Sequence, residues 1–210
     1  MRVFPVLDES GRRLALALYS GLAQGVPVSP STIADRLEMP ADRVVRQLRS
    51  WPGVYYDGDQ RVIGFWGLTI AQMPHRLLVN GRRLYAWCAW DTLFLPALLG
   101  ADVEVESACR ATGNRVRLTA TPQTLRSVEP AELVVSFLLP DAEAVTENVI
   151  TSFCHYVHFF RSQEVARPWV AEHPKTFVLS LADAYEVGRR INQARYDKVL
   201  DAMVLCRGGP

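Results

Sequence analysis

A thiol and a carboxylate lie close together in one strongly apolar segment of the chain. Cys88 precedes Asp91 by three residues, and Trp87 and Trp90 flank them. Residues three apart share one face of a helix or of the turn that enters it, so the two groups can converge. A carboxylate in such a segment is costly unless it caps a helix or takes part in chemistry. The alternative is that Asp91 is the N-cap of a helix and that Cys88 only fills the core.

A second segment, from Ser152 to Phe160, carries a thiol among aromatic residues and histidines. If this segment is a β-strand, Cys154, Tyr156 and His158 share one face. Cys154 and His158 could then provide half of a metal site. The alternative is a core strand whose histidines are satisfied by hydrogen bonds, and the spacing C-x-x-x-H is a weak pattern by itself.

Taken together, the two segments indicate a site for a soft metal. Cys88 and Cys154 offer two sulfur donors, and Asp91 offers a proton donor next to them. Thiolates select soft ions, and Hg(II) is among the softest ions that a cell meets. The residue types therefore suit a soft-metal site with an acid beside it, but nothing in the spacing alone brings the two cysteines together.

Longer motifs make the chain similar to a known family. Residues 81–100, GRRLYAWCAWDTLFLPALLG, resemble the active-site segment of organomercurial (alkylmercury) lyases. Residues 107–113, SACRATG, resemble the next block of that family, S-x-C-x-x-T-G. The blocks at 128–130, 135–140 and 152–160 follow in the expected order. The likeness covers roughly residues 67–190, and the agreement of several ordered motifs makes it specific.

The resemblance implies a role for each matching residue. Cys88 matches the first catalytic cysteine, Asp91 the catalytic acid and Cys154 the second catalytic cysteine. The same three residues would hold the mercury of the substrate and of the product. Cys109 matches a cysteine that is structural in the family, and His155 stands where some members have another cysteine. The implied reaction is protonolysis of the carbon–mercury bond of alkyl- and arylmercury compounds, which gives a hydrocarbon and Hg(II).

The implied chemistry also sets the expected partners. The substrates are small organomercurials, and no cofactor is expected because mercury enters as part of the substrate. Cellular thiols are expected to remove the Hg(II) product, and the cysteines of a mercuric reductase are a candidate acceptor. A membrane is not an expected partner, and nucleic acid is disfavoured because the formal net charge of the chain is only +1.

The composition and the pattern of apolar residues predict a cytoplasmic protein. The 210 residues are 49% hydrophobic, which is enough for a packed core. The longest apolar runs, Leu14–Leu18 and Trp87–Leu99, are too short to span a bilayer. Residues 1–10 lack the pattern of a signal peptide. The four cysteines contain no CxxC pair, so we expect free thiols in a reducing compartment.

The elements that must position the candidate residues fall into two predicted domains. Residues 1–66 predict a winged-helix-like unit with three helices, at 12–22, 29–37 and from Pro40 onward, and a hairpin about residues 57–60. Residues 67–210 predict a catalytic α+β domain that holds the mercury site. The predicted fold class is α+β: the three-helix unit followed by a mixed, largely antiparallel sheet core flanked by helices. The predicted strands are 68–73, 82–87, 102–107, 115–121, 132–139 and 177–181, and the predicted helices are 91–99, a start at 141–149 and 181–204.

Two functions from other classes remain open on sequence alone. A winged-helix metal-responsive transcriptional regulator could set Arg43, Arg46 and Arg49 against phosphates, but nearby acidic residues offset that charge. A soft-metal carrier would bind Hg(II) or Cu(I) without catalysis and would not need Asp91. Salt-dependent binding to DNA would favour the regulator, and release of methane or benzene from an organomercurial would favour the lyase.

Overall fold

The computed structural model describes the backbone of residues 7–139 and 148–207, and the side chains of residues 7–139 and 148–196. These parts of the chain form seven helices and two antiparallel sheets. The helices are α1 (Glu9–Leu22), α2 (Pro30–Leu37), α3 (Ala41–Ser50), α4 (Asp91–Leu99), α5 (Val149–Ser152), α6 (Gln163–Glu172) and α7 (Leu181–Arg207). The strands are β1 (Val54–Tyr56), β2 (Val62–Phe65), β3 (Leu68–Thr69), β4 (His75–Val79), β5 (Arg82–Ala86), β6 (Val103–Ala108), β7 (Arg115–Ala120), β8 (Leu125–Glu129), β9 (Val134–Leu138), β10 (Phe159–Phe160) and β11 (Thr176–Ser180).

Three helices and a hairpin begin the chain, as predicted. Asp8 caps α1, because its carboxylate accepts a hydrogen bond from the backbone N–H of Gly11 at 2.7 Å. Leu14 and Leu18 on α1 are fully buried, and α1 packs against β2, α4 and α7. The α1 helix therefore contacts elements of the region that carries the candidate site, and the division of the chain into two domains stays a prediction.

The larger sheet has eight strands in the order β1-β2-β3-β5-β4-β6-β7-β8, and all its neighbours are antiparallel. The hairpin of β1 and β2 forms one end of this sheet. Buried and more exposed residues alternate along β6 and β7, so one face of the sheet covers the core. The α+β class with antiparallel sheets is therefore as predicted.

A smaller sheet has the order β10-β9-β11 and lies next to the second candidate segment. Ser136 on the central strand β9 connects the sheet to that segment. Its hydroxyl donates to the carbonyl of Tyr156 at 2.7 Å and accepts from the backbone N–H of His158 at 2.9 Å. The smaller sheet thus fixes the position of the chain just after Cys154.

Several expectations about individual elements were wrong. The strand expected over residues 68–73 is reduced to β3, and the sequence did not predict β4, β8 or α6. The possible strand over residues 153–160 is instead a 3₁₀ turn at Cys154–Tyr156 followed by the short β10. The side chain of Asn148 accepts from two backbone N–H groups and starts a helical path that this turn continues. The helix start expected at 141–149 falls mostly outside the described residues.

None of the helices in the described part of the chain is both long and apolar enough to cross a bilayer.

Candidate active site

Cys88 lies in the turn that connects β5 to α4, and its side chain is fully buried. Two backbone hydrogen bonds hold this turn. Trp87 donates its N–H to the carbonyl of Gly67 at 3.0 Å, and Ala89 donates to the carbonyl of Val157 at 3.2 Å. The turn is therefore tied to the large sheet on one side and to the segment after Cys154 on the other.

Asp91 is the first residue of α4, and Trp90 occupies the N-cap position. The suggestion that Asp91 is itself the N-cap is therefore wrong. Its carboxylate turns back and accepts a hydrogen bond from the backbone N–H of Cys88 at 2.8 Å. A carboxylate in the first turn of a helix is also favoured by the helix dipole. Asp91 is only 5% exposed, so a single side chain both stabilises the turn and places an acid beside the thiol.

The C-terminal helix α7 fixes the position of α4. The indole N–H of Trp90 donates to the carbonyl of Ala184 at 2.9 Å, and the amide of Asn192 donates to the carbonyl of Phe94 at 2.9 Å. A Cβ on Gly188 would come within 2.8 Å of the Cβ of Phe94, so the two helices approach closely at this glycine. These contacts hold the helix that carries Asp91.

Gly67 packs directly against the carboxyl group of Asp91. An added Cβ would lie 2.7 Å from both Cγ and Oδ1 of Asp91, and the φ of Gly67 is +95°, a value that disfavours other residues. The preceding carbonyl, that of Trp66, accepts a hydrogen bond from the buried hydroxyl of Tyr19 at 3.0 Å. Neither Gly67 nor Tyr19 was among the site residues predicted from the sequence. A glycine between two predicted strands was the available signal for a tight turn.

Cys154 begins the 3₁₀ turn that follows α5 and is 4% exposed. The Asn148 side chain that caps α5 accepts from the backbone N–H groups of Ile150 and Thr151 at 3.0 and 3.3 Å. The helix has only four residues, and both Thr151 and His155 are exposed. The second thiol is thus presented by a short segment near the surface.

The three candidate groups meet at one point. The sulfur atoms of Cys88 and Cys154 and a carboxylate oxygen of Asp91 lie within 4.8 Å of one another. Two sulfurs bound to one metal at ~2.3 Å are at most about 4.6 Å apart, so a single ion could join them with little movement. Among the described residues, no other group of three such ligands is this close, and His158 does not belong to this one. The ring of His158 instead contacts Trp169 edge-on at 5.0 Å.

Burial dominates the protonation of the site. It raises the pKa of Asp91 to about 7, although hydrogen bonds from Cys88 oppose this effect. Burial, a hydrogen bond with Cys154 and the charge of Asp91 raise the pKa of Cys88 well above that of a free thiol. The hydrogen bond from Cys88 lowers the pKa of Cys154, but burial and the Asp91 charge outweigh it, so this pKa is also raised. Near neutral pH the site thus holds thiols beside a carboxyl group that can accept or donate a proton.

Aromatic rings surround the site on the side of α4. Trp90 contacts Phe94, Phe137 and Phe153 with ring centroids 5.0, 5.4 and 6.1 Å apart. All four residues are buried, as expected of core aromatics. The site is therefore poor in water, which is the condition that raises the three pKa values.

The other cysteines lie apart from this group. Cys109 is buried, and its backbone N–H donates to the carbonyl of Asn114 at 2.8 Å within a tight loop. Burial raises the pKa of its thiol, but hydrogen bonds from Thr112 and nearby backbone N–H groups lower that pKa overall. Cys109 is not part of the cluster of three ligands, which agrees with a structural role. The side chain of Cys206 lies outside the described residues.

Comparison with known proteins places the chain in a family. Residues 68–193 match the family model described as alkylmercury lyase. An alkylmercury lyase of Staphylococcus epidermidis is 45% identical over 181 residues, which cover 86% of this chain and 82% of that protein. An alkylmercury lyase of Bacillus cereus is 41% identical over 198 residues, which cover 94% of this chain and 88% of that protein.

A solved structure is similar over nearly the same length. The mercury-bound form of MerB2 aligns with a TM-score of 0.75 and 27% sequence identity, covering 90% of this chain and 92% of that one. The family model covers residues 88, 91 and 154, and so includes all three members of the buried cluster. Its sequence and its fold both show that the chain belongs to the alkylmercury lyase family.

Proposed function

We propose that the protein cleaves the carbon–mercury bond of alkyl- and arylmercury compounds by protonolysis, with Cys88, Cys154 and Asp91 as the catalytic residues. The observation that carries the proposal is the mutual distance of at most 4.8 Å between two buried thiols and a buried carboxyl group. Cleavage of this bond requires electron donation to mercury and a proton for carbon. The cluster offers a chemical group for each requirement.

The first step is capture of the organomercurial by Cys154. Cys154 accepts a hydrogen bond from the thiol of Cys88, which stabilises its thiolate, and it is the slightly more exposed of the two. The thiol exchanges with the ligand X that accompanies mercury in solution. In this exchange R–Hg–X and Cys154–SH give R–Hg–S–Cys154 and HX. The R group remains on mercury, and no proton has yet reached carbon.

The second step adds the other thiolate and delivers the proton. Ionised Asp91 takes the proton of Cys88, with which it shares a hydrogen bond, and the thiolate of Cys88 then binds mercury. Two thiolates donate electron density and weaken the carbon–mercury bond. The protonated carboxyl group of Asp91 protonates the carbon as the bond breaks, which releases RH and restores the carboxylate. Hg(II) remains on the two sulfurs, with Asp91 as a weak third ligand.

Release of mercury requires other thiols. Two cellular thiols replace the two cysteines on Hg(II). This exchange regenerates both protein thiols and gives a soluble Hg(II) dithiolate. The cysteines of a mercuric reductase are suited to the same exchange, because Hg(II) can pass from one pair of thiolates to another without a redox step. We propose no resident cofactor, since the substrate brings the metal.

The N-terminal region fits a winged-helix-like module that packs against the site. The order of three helices and a hairpin supports this assignment, and the contact of α1 with α4 and α7 supports a packing role. In α3, Arg46 pairs with Asp42 at 2.5 Å, which partly neutralises the face that a DNA-binding protein would use. A cytoplasmic location suits buried free thiols, because a reducing compartment keeps them reduced.

A direct assay tests the proposed function. The protein is incubated with phenylmercury and excess small-molecule thiol, and benzene is measured in the headspace over several turnovers. We expect continuous release of benzene that depends on the amount of protein. Binding of one mercury per chain without benzene would instead identify a soft-metal carrier.

A further inference from the structure

Tyr55, on strand β1 of the N-terminal hairpin, contacts both parts of the chain that form the cluster. Its ring meets the ring of Trp87, the neighbour of Cys88, edge-on with centroids 5.1 Å apart. Its hydroxyl lies 3.5 Å from Oδ1 of Asn148, the residue that caps the helix leading to Cys154. The ring thus lies between the Cys88 turn and the Cys154 segment.

The backbone of the hairpin changes register at this residue. Tyr55 pairs with Gly64, and the ladder between β1 and β2 shifts between Tyr55 and Tyr56. Such irregularities bend a strand and change the direction of its side chains, and they are common next to active sites. The residue paired with Tyr55, Gly64, has no side chain, and an added Cβ would lie 3.2 Å from the side-chain oxygen of Thr69. The hairpin is therefore shaped locally where it meets the candidate site.

Tyr55 is close enough to Cys154 to feel its charge, and it is partly exposed to solvent. Burial raises the pKa of its phenol, and the charge of Cys154 raises it further. Tyr55 is only half-buried, whereas Trp87, Trp90 and Phe94 are buried. A substrate must reach the thiols from solvent, and of these four aromatic residues Tyr55 is the most exposed to solvent.

We propose that Tyr55 is a specificity-determining residue whose ring forms a wall for the organic group of the substrate and favours aryl over alkyl groups. This inference rests on the proposed function, because it presumes that mercury binds between Cys88 and Cys154. A phenyl group on that mercury can meet the Tyr55 ring edge-to-face, a favourable arrangement for aromatic pairs. A methyl group is too small to gain much from the same contact.

Steady-state kinetics with two substrates test the proposal. Tyr55→Ala should raise the KM for phenylmercury by about ten-fold and leave kcat within about two-fold, since the lost contact is made by the bound substrate and not by the reacting atoms. Its KM for methylmercury should stay within about two-fold. Tyr55→Phe keeps the ring, so its ratio of phenylmercury to methylmercury kcat/KM should match that of the wild type.

Tyr56→Ala is the matched control. Tyr56 is the next residue of the same strand and is half-buried, but the charged residue that influences its phenol is Arg49 and not Cys154. This variant should change stability without changing the substrate ratio. If Tyr55→Ala does not fold, as judged by thermal unfolding, Tyr55→Leu serves in its place with the same expected loss of aryl preference.

Three results separate the possible failures. An equal change of KM for both substrates in Tyr55→Ala, or an equal shift of the substrate ratio in Tyr56→Ala, would overturn the role of Tyr55. Either result leaves the proposed function intact if the wild type still releases hydrocarbon. A wild type that binds mercury but releases neither benzene nor methane would instead refute the proposed function, and with it the inference.

Discussion

The two halves of the candidate site are held very differently. Cys88 and Asp91 lie where a strand of the eight-stranded sheet meets α4, and α7 fixes that helix through Trp90 and Asn192. Cys154 lies on a 3₁₀ turn after a four-residue helix whose outer residues are exposed. In the proposed mechanism, a rigid support suits Asp91, which delivers a proton with defined geometry, and a short surface segment suits Cys154, the thiol that first meets a substrate.

Removal of the thiols should have the largest effect and should affect the two halves unequally. Cys88→Ala and Cys154→Ser should each lower turnover by at least about 10³-fold, because one thiolate does not activate the bond. Cys88→Ala should still bind phenylmercury rapidly through Cys154, whereas Cys154→Ser should bind it slowly. Stopped-flow binding and headspace benzene measure the two steps. Equal binding rates in both variants would contradict the proposed order of the thiols.

Asp91→Asn should separate binding from cleavage. The amide cannot donate an acidic proton, so turnover should fall by about 10²–10⁴-fold. Both thiols remain, and the variant should still bind one phenylmercury per chain. Isothermal titration gives the stoichiometry, and benzene release gives the turnover. Benzene release at the wild-type rate would show that another group supplies the proton.

Gly67→Ala should disturb the rigid half without touching a thiol. The new Cβ would lie 2.7 Å from the Asp91 carboxyl group, which must move, and we expect a loss of about 10- to 100-fold in kcat. Gly81→Ala is the matched control, because Gly81 also has a positive φ, +77°, but has nothing within 4 Å of an added Cβ. Both variants should lose stability, as measured by thermal unfolding. A similar loss of kcat in both would show that backbone strain alone explains the effect.

The pH dependence should report the raised pKa of Asp91. In the proposed mechanism Asp91 must be ionised to take the proton of Cys88, so kcat should fall below about pH 7 by up to ten-fold per unit. The contribution of Asp91 to stability has the opposite dependence on pH. The folded-state pKa lies above the ~3.9 of an unfolded aspartate, so this contribution is complete at low pH and is lost as pH rises to about 7. Denaturation of the wild type and Asp91→Asn across pH 4–8 measures it, and parallel curves for the two would contradict the assignment.

The sequence predicted the local structure around Cys88 and Asp91 better than the local structure around Cys154. The terminal helix follows from apolar residues at helical spacing. The helix from Asp91 to Leu99 follows from a short apolar run and from Gly100, which ends α4 at a φ of +60°. The alternating pattern of residues 153–160 suggested a strand. The chain is helical at the start of this segment because Asn148, which precedes it, caps the short helix that leads into it. A capping side chain acts over only a few residues, so periodicity alone did not reveal it.

The site residues themselves were recognised from motifs, while their supports were not. Cys88, Asp91 and Cys154 stood out by type and by resemblance to a family, and the structure brings their ligand atoms together. Gly67 and Tyr55 act through close approach to residues distant in the chain. Such contacts depend on strand pairing, which hydrophobic patterns do not specify residue by residue.

A single turnover without added thiol examines the shared mercury site itself. One equivalent of phenylmercury is mixed with the protein, benzene is quantified, and the sulfur coordination of the retained mercury is measured by X-ray absorption. In the wild type we expect about one benzene per chain and mercury bound by two sulfurs. In Cys88→Ala we expect almost no benzene and phenylmercury bound by one sulfur. Stoichiometric benzene with mercury held by one sulfur in the wild type would contradict the proposal that Cys88 and Cys154 act on the same metal.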